Sequence, residues 1–398
     1  MLTRREFVRS GTTAMCVSTA ALTSLAHSTS SKSGPFRVAV FGRTGRGNYG
    51  HGLDTAWLKI PRTEIVAVCD DDRKGRALAA ERLRIEKTYS DYREMFNETR
   101  PDIVAVAPRW VDMHHEVVLA AVKAGIHVYV EKPFVRTLVE ADEIVDANSA
   151  RGVRIAVAFP TRYSPLLSTV RGLLNDGAIG EVLELRARGK EDHRGGAEDL
   201  WVLGSHLLDL ILALGFTPKW CFANVTKDGR PIEKQDIHAG NEGLGRIAGD
   251  RVTAIYGLEE GPTASFQSKQ DAGVKGSRYA LQIFGSRGII EILEGTMPAV
   301  RILQDASWSP GRSGKSWQPV STAGIGLPEP LTDDRYKDRH TLAIEDLLNA
   351  IETSSDPVSN EKTARQSIEM IAGVFESQRR GCAVDFPLQT RVNPLSLY

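Results

Sequence analysis

Arg37-Val38-Ala39-Val40-Phe41-Gly42-Arg43-Thr44-Gly45-Arg46-Gly47 is an apolar run that breaks into glycines. Residues 38–41 are apolar without alternation, which suits a strand buried on both faces of a parallel sheet. A strand, a glycine-rich turn and then a helix is the context in which such glycines bind a dinucleotide. Gly42 permits the tight turn and Gly47 lets a helix approach the strand, while N–H groups at the helix start hold a pyrophosphate. Arg43 and Arg46 lie within the same expected cofactor-binding turn. Thr44 stands where the fingerprint has its middle glycine, and Gly45 follows one place later. Asn48 and Gly50 are placed to cap a delayed helix.

Further apolar runs at 64–69, 103–107, 127–130 and 154–158 alternate with helical stretches at 71–83, 114–124 and 138–150. This β-α-β alternation predicts a doubly wound parallel sheet. Asp70 ends the second strand at the spacing of the acid that binds a ribose diol. A carboxylate there repels a 2′-phosphate, so NAD is expected over NADP, with Arg73 close by.

After Phe159 the pattern changes. A helix at 165–174 precedes strand candidates at 181–188, 251–258, 263–268, 279–284, 288–293 and 299–303, joined by Gly-rich turns. A mostly antiparallel open sheet in an α+β domain follows from that spacing. Residues 307–328, rich in Ser, Gly and Pro, read as an exposed loop. Helices at 340–351 and 362–378 are expected to pack back on the body. The domain reading is 36–159 for the Rossmann domain, 160–335 for the substrate-binding domain and 336–398 for the C-terminal helices.

The chain has 398 residues, with 50 Lys+Arg against 50 Asp+Glu, 41% hydrophobic and 25% charged. That is the balance of a globular protein and excludes a disordered or collagen-like chain. Zero net charge argues against nucleic acid as a partner. Residues 1–26 carry Arg4-Arg5, a short apolar stretch and Ser24-Leu25-Ala26, the pattern of a cleavable twin-arginine (Tat) signal. The Tat export machinery is therefore an expected partner, and a periplasmic or otherwise exported destination is expected, with 27–35 as linker and no membrane anchor in the mature form. Tat export of folded proteins suits a cofactor acquired before export. The mature chain keeps Cys69, Cys221 and Cys382, so at most one internal disulfide can form. No Cys/His set has metal-ligand spacing, so no metal is expected.

Pro108 with His114, Val128-Tyr129-Val130-Glu131-Lys132-Pro133, Arg162-Tyr163-Ser164-Pro165 and Gly204-Ser205-His206-Leu207-Leu208-Asp209 follow in order. Together with the glycine-rich turn they resemble the glucose–fructose oxidoreductase/inositol dehydrogenase (Gfo/Idh/MocA) family along nearly the whole mature chain. The resemblance implies a nicotinamide cofactor and a sugar or polyol substrate. It places Lys132 beside the nicotinamide, where an ammonium stabilises a developing alkoxide. His206 becomes the general base. Pro108, His114, Glu131 and Lys132 join the cofactor site. The family's usual aspartate four residues before this histidine is replaced here by Val202. Asp199 is the nearest upstream acid, about 10 Å of helix away. The charged loop from Gly189 to Asp199 offers Lys190, Glu191, Asp192 and Asp199 as hydroxyl ligands, with Arg162 and Tyr163 lining the same pocket.

The expected function is NAD(H)-dependent oxidation or reduction of a sugar, polyol or glycoside hydroxyl, with a tightly bound cofactor. Two alternatives are a redox-neutral NAD-dependent glycosidase (oxidation, elimination, reduction) and a non-catalytic sugar- or nucleotide-binding homologue. The antiparallel sheet is expected to join subunits into a homo-oligomer.

Overall fold

The computed structural model describes residues 34–398 apart from 260 and 276. The signal and most of the linker read from residues 1–33 lie outside the described residues. Six strands form the first sheet: β1 (Phe36–Phe41), β2 (Thr63–Cys69), β3 (Thr88–Tyr89), β4 (Ile103–Val106), β5 (His127–Val130) and β6 (Ile155–Val157). Their order is β3-β2-β1-β4-β5-β6 and every pairing is parallel. This is the doubly wound order, with its crevice at the C-terminal ends of β1 and β4. The strands are apolar throughout because helices cover both faces. One face carries α2 (Tyr92–Thr99), α3 (His114–Ala124) and α4 (Leu138–Ser149); α1 (Arg73–Leu83) lies on the other. Tyr92, Met95 and Phe96 of α2 are buried against Phe41 and Val106. Neither β3 nor α2 stands out in the sequence, because only short apolar groups mark them.

The expected helix directly after the glycine-rich turn is absent. Residues 43–55 form consecutive turns, and only a single 3-10 turn, Ala56–Lys59, follows. The reason is local: Gly45, Gly47, Gly50 and Gly52 all adopt positive φ, which a right-handed helix cannot hold. The helix Thr341–Thr353 helps cover that face, placing Ile344, Leu347 and Leu348 in the cluster with Val38, Trp57 and Tyr129.

The second sheet has eleven strands. Its central strands run Ala299–Leu303, Gly288–Leu293, Ala280–Gly285, Val182–Arg188, Thr263–Lys269, Arg251–Leu258 and Pro218–Lys227. All these neighbours are antiparallel except the parallel pair of Val182–Arg188 with Thr263–Lys269. The helix Glu361–Arg380 packs on one face: Ser377 Oγ accepts from Ala223 N–H at 2.9 Å and Met370 O accepts from Tyr256 OH at 3.2 Å. Strand Pro218–Lys227 escapes the sequence pattern because its inward residues are Cys221, Ala223 and Val225, while Phe222 faces outward and is exposed. The supposed loop 307–328 contains a helical turn, Pro310–Ser313, and the strands Gln318–Ser321 and Gly324–Ile325, which extend the sheet edge. No helix among the described residues is long and apolar enough to cross a membrane.

Candidate active site

At the cofactor end, the loop after β1 is tied into itself. Arg43 N–H donates to Asn48 O (3.0 Å), Gly45 N–H to Asn48 Oδ1 (2.9 Å) and Arg46 N–H to Arg43 O (3.0 Å). Thr44 N–H and Oγ1 both donate to Asp70 (3.0 and 2.7 Å to Oδ2). The Thr44 side chain therefore turns onto Asp70 and packs over Gly75. This is how the chain tolerates threonine at the middle-glycine position. Gly42 must be glycine because a Cβ would enter the Tyr49 ring, and Gly47 because a Cβ would overlap the backbone of Arg109 and Trp110.

Asp70 is buried and already saturated. Besides Thr44 it accepts from Tyr49 OH (2.9 Å) and Asp72 N–H (3.0 Å). These bonds make it a hub of the loop, at the position the sequence assigns to the diol ligand. The open carboxylate at the end of β2 is Asp71, whose side chain is 64% exposed and lies 3.8 Å from Arg43. Asp71, Arg43, Phe41, Ser90, Tyr92 and Met113 are among the residues lining a cavity of about 160 Å³ there. Arg43 and Arg46 both pair with Asp112 (2.8 and 3.1 Å). The N–H groups of Gly47, Gly52 and Leu53 have no protein partner among the described residues. The loop's unbonded N–H groups and the open carboxylate of Asp71 are what a dinucleotide would use.

At the other end of the crevice, β5 runs into Glu131-Lys132-Pro133, with a cis bond before the proline. Glu131 is buried. Burial opposes its ionisation, but hydrogen bonds from His51 N–H (3.1 Å) and Nδ1 (2.9 Å), with nearby Lys132, hold it at about 2. His114 is also buried, with both ring nitrogens on carbonyls: Nδ1 on Pro133 O (2.9 Å) and Nε2 on Pro108 O (2.7 Å). It staples the ends of β4 and β5 together. His114 and Pro108 thus shape the crevice from behind. Burial pushes the imidazole of His114 down.

Lys132 is the chemical feature of this end. It is 5% exposed, and Nζ donates to Val202 O at 2.6 Å. Val202 lies in a π-helical segment, Leu200–Gly204. The wider π turn loosens the i→i−4 ladder, as is common at functional sites. Two successive carbonyls there accept from side chains, Val202 from Lys132 and Leu203 from Tyr279 OH (2.6 Å). His206 follows in the helix Ser205–Ala213, edge-on to Phe159 at a centroid distance of 5.7 Å. Burial, then the charges of Lys132 and Arg339, push its imidazole well below the usual range. Lys132 is likewise pushed down by burial. The structure thus brings together Lys132 and His206, which are 74 positions apart (206 − 132) in the sequence.

Three residues here were not anticipated. Glu294 Oε1 lies 3.6 Å from His206 Nδ1, and the Thr161 hydroxyl lies 2.9 Å from that same oxygen. Arg339 is exposed, has no ion pair among the described residues, and acts electrostatically on Lys132, His206 and Glu294. No local motif surrounds Glu294 or Arg339, and Thr161 stands just before Arg162-Tyr163-Ser164-Pro165.

The expected substrate ligands mostly serve the fold. Arg162 is buried in an ion pair with Asp209 (2.6 Å), and Tyr163 OH accepts from Ser359 N–H (3.1 Å). Glu191 is buried between Arg188 (2.8 Å) and Arg278 (3.1 Å). Asp199 is buried against Ser268 and the Glu191 N–H (3.1 Å), with no bond to His206. None of these four is open to a substrate hydroxyl. Lys190 and Asp192 stay at the surface, 3.7 Å apart, with Asp192 also bound to Arg194 (2.7 Å). No group of three or more His, Cys, Asp or Glu is placed to hold a metal among the described residues.

A doubly wound nucleotide-binding sheet, an open antiparallel sheet and a facing Lys/His pair define the class of two-domain dinucleotide-dependent oxidoreductases. Residues 36–159 match the family model described as "Oxidoreductase family, NAD-binding Rossmann fold" (GFO_IDH_MocA). D-apiose dehydrogenase of Paraburkholderia graminis is 22% identical over 349 residues, covering 83% of this chain and 85% of that protein. Levoglucosan dehydrogenase of Pseudarthrobacter phenanthrenivorans is 24% identical over 260 residues, covering 58% of this chain and 65% of that protein. A solved structure of levoglucosan dehydrogenase in complex with NADH and levoglucosan superposes with a TM-score of 0.72 at 21% identity, covering 89% of this chain and 100% of that one. At that identity the likeness shows the fold.

Proposed function

We propose that this protein is an NAD(H)-dependent oxidoreductase acting on a hydroxyl of a sugar, polyol or glycoside, with a tightly held cofactor. The observation that carries this reading is the pairing of a buried ammonium, Lys132, with a buried imidazole, His206, at the C-terminal edge of the parallel sheet. Bound there, the nicotinamide would supply the hydride acceptor and donor. The chain supplies the proton chemistry. Burial and the charges of Lys132 and Arg339 push the imidazole of His206 down, so it is neutral at neutral pH and able to accept the hydroxyl proton. Lys132, pinned by Val202 O, steadies the oxygen that loses that proton. We assign the ribose diol to Asp71, the exposed carboxylate beside Arg43, which favours NAD over NADP.

The sequence of residues 1–26 supports an exported location, where free NAD is scarce and a resident cofactor is an advantage. The same residues serve a redox-neutral glycosidase, in which the hydride returns to the substrate after elimination. We also place subunit association on the uncovered face of the second sheet, where Phe222 and Ile255 pair across strands and both are exposed.

The test is to purify the protein without added cofactor, denature it and identify released nucleotide by mass spectrometry, then offer a panel of sugars, polyols and glycosides. Retained NAD(H) with net NADH formation supports the oxidoreductase. Glycoside cleavage with no net NADH selects the redox-neutral form. Lys132→Met should abolish turnover, a loss of about 10²-fold or more, while ligand binding is kept. Absence of both retained nucleotide and binding of added NAD(H) or NADP(H) overturns the proposal.

A further inference from the structure

The position one turn before His206 holds Val202, which can neither orient an imidazole nor balance its charge. Asp199 is committed to Ser268 and the Glu191 N–H. The imidazole still has a carboxylate beside it. Glu294, just past the strand Gly288–Leu293, sets Oε1 3.6 Å from His206 Nδ1. That nitrogen is buried and has no hydrogen-bond partner among the described residues.

We propose that Glu294 is the positioning acid of His206. From a strand end it does what an aspartate on the helix would do: it holds the Nδ1–H tautomer, leaves Nε2 to the substrate and balances the imidazolium formed when Nε2 takes a proton. This rests on the reading of His206 as the general base.

Several features fit that task. The Thr161 hydroxyl, within 2.9 Å of Glu294 Oε1 and of Gly295 O, fixes the carboxylate from the loop after β6. The separation of 3.6 Å is within ion-pair reach but longer than a hydrogen bond. Such contacts commonly tighten when substrate binds. Burial raises the carboxyl of Glu294 and lowers the imidazole of His206. The other charged groups facing His206 are Lys132, Arg339, Glu131 and His51, and none is an acid in reach of Nδ1.

The proposal is tested first without substrate, on the whole protein labelled with ¹⁵N-histidine. A long-range ¹H–¹⁵N spectrum reads the His206 tautomer, assigned by loss of its signals in His206→Gln. The expected result is an Nδ1–H tautomer that Glu294→Ala abolishes and Glu294→Asp retains. Unchanged His206 signals in folded Glu294→Ala overturn the proposal. If Glu294→Ala does not fold, Glu294→Gln keeps the shape and loses the charge. The His206 titration should then move to lower pH, and an unmoved titration overturns the proposal. With a substrate in hand, Glu294→Gln should lower kcat by about 10²-fold and leave KM nearly unchanged. A tautomer change in a protein that turns over no sugar, polyol or glycoside would sustain the Glu294 assignment and defeat the oxidoreductase reading, so the two failures are distinct.

Discussion

Arg162→Met should destabilise the protein in a pH-dependent way that a substrate-binding arginine would not. Arg162 and Asp209 have side chains only 6% and 3% exposed. Arg162 supplies the hydrogen-bond donors that Asp209 has among the described residues, through Nε (3.1 Å) and Nη2 (2.6 Å). Removing the guanidinium leaves a buried carboxylate with no cation, a change that typically costs about 3–5 kcal/mol. Protonation limits the loss. An aspartate that titrates near 3.9 when unfolded gives up about 1.4 kcal/mol per pH unit to stay neutral, or about 4 kcal/mol at pH 7. Burial already raises Asp209, and Arg162 opposes that rise. Without Arg162 the folded value rises further. A carboxyl raised on folding contributes stability that is whole at low pH and is lost as pH rises. The difference between variant and parent should therefore be about 3–4 kcal/mol at pH 7 and close toward about pH 4. Denaturant unfolding across that range measures it. Asp209→Asn placed on the variant should recover much of the loss. A pH-independent loss below about 1 kcal/mol would refute the reasoning and return Arg162 to the list of candidate substrate ligands.

Other outcomes follow from single observations. Gly47→Ala combines a φ of +81° with overlap onto Arg109 and Trp110, so it should cost about 1–3 kcal/mol in thermal unfolding and release bound nucleotide. Asp71→Ala should weaken NAD(H) roughly tenfold by calorimetry and narrow its preference over NADP(H), leaving the melting temperature nearly unchanged. Asp70→Ala should do the reverse, because it strips partners from Thr44, Tyr49 and Asp72. Among the charges facing His206 (Lys132, Arg339, Glu131, His51 and Glu294), Lys132, Arg339 and His51 add to burial in pushing its imidazole down. Removing Arg339 should raise that imidazole, so the acid limb of the kcat/KM profile for oxidation in Arg339→Ala should move to higher pH.

The parallel sheet is legible because its strands are buried on both sides, and unbroken runs such as Val38–Phe41 and Ile103–Val106 carry that demand in every residue. The antiparallel strands are legible where alternation is clean. Alternation fails in Pro218–Lys227, where Phe222 faces outward, and is too short at Gln318–Ser321. The glycine-rich turn is visible as a turn, but its four positive-φ glycines carry the chain past the expected helix.

The sequence by itself determined the parallel and antiparallel sheets and singled out Lys132 and His206, because local order and short motifs encode both. Only the tertiary structure decided which neighbours are free. It spent Asp70, Arg162, Glu191 and Asp199 on internal bonds, since a buried charge must find partners within hydrogen-bond reach. It left Asp71 open, one residue on from Asp70. It also brought Glu294 to His206 across 88 positions (294 − 206), a meeting set by the register of the antiparallel sheet and by no local pattern.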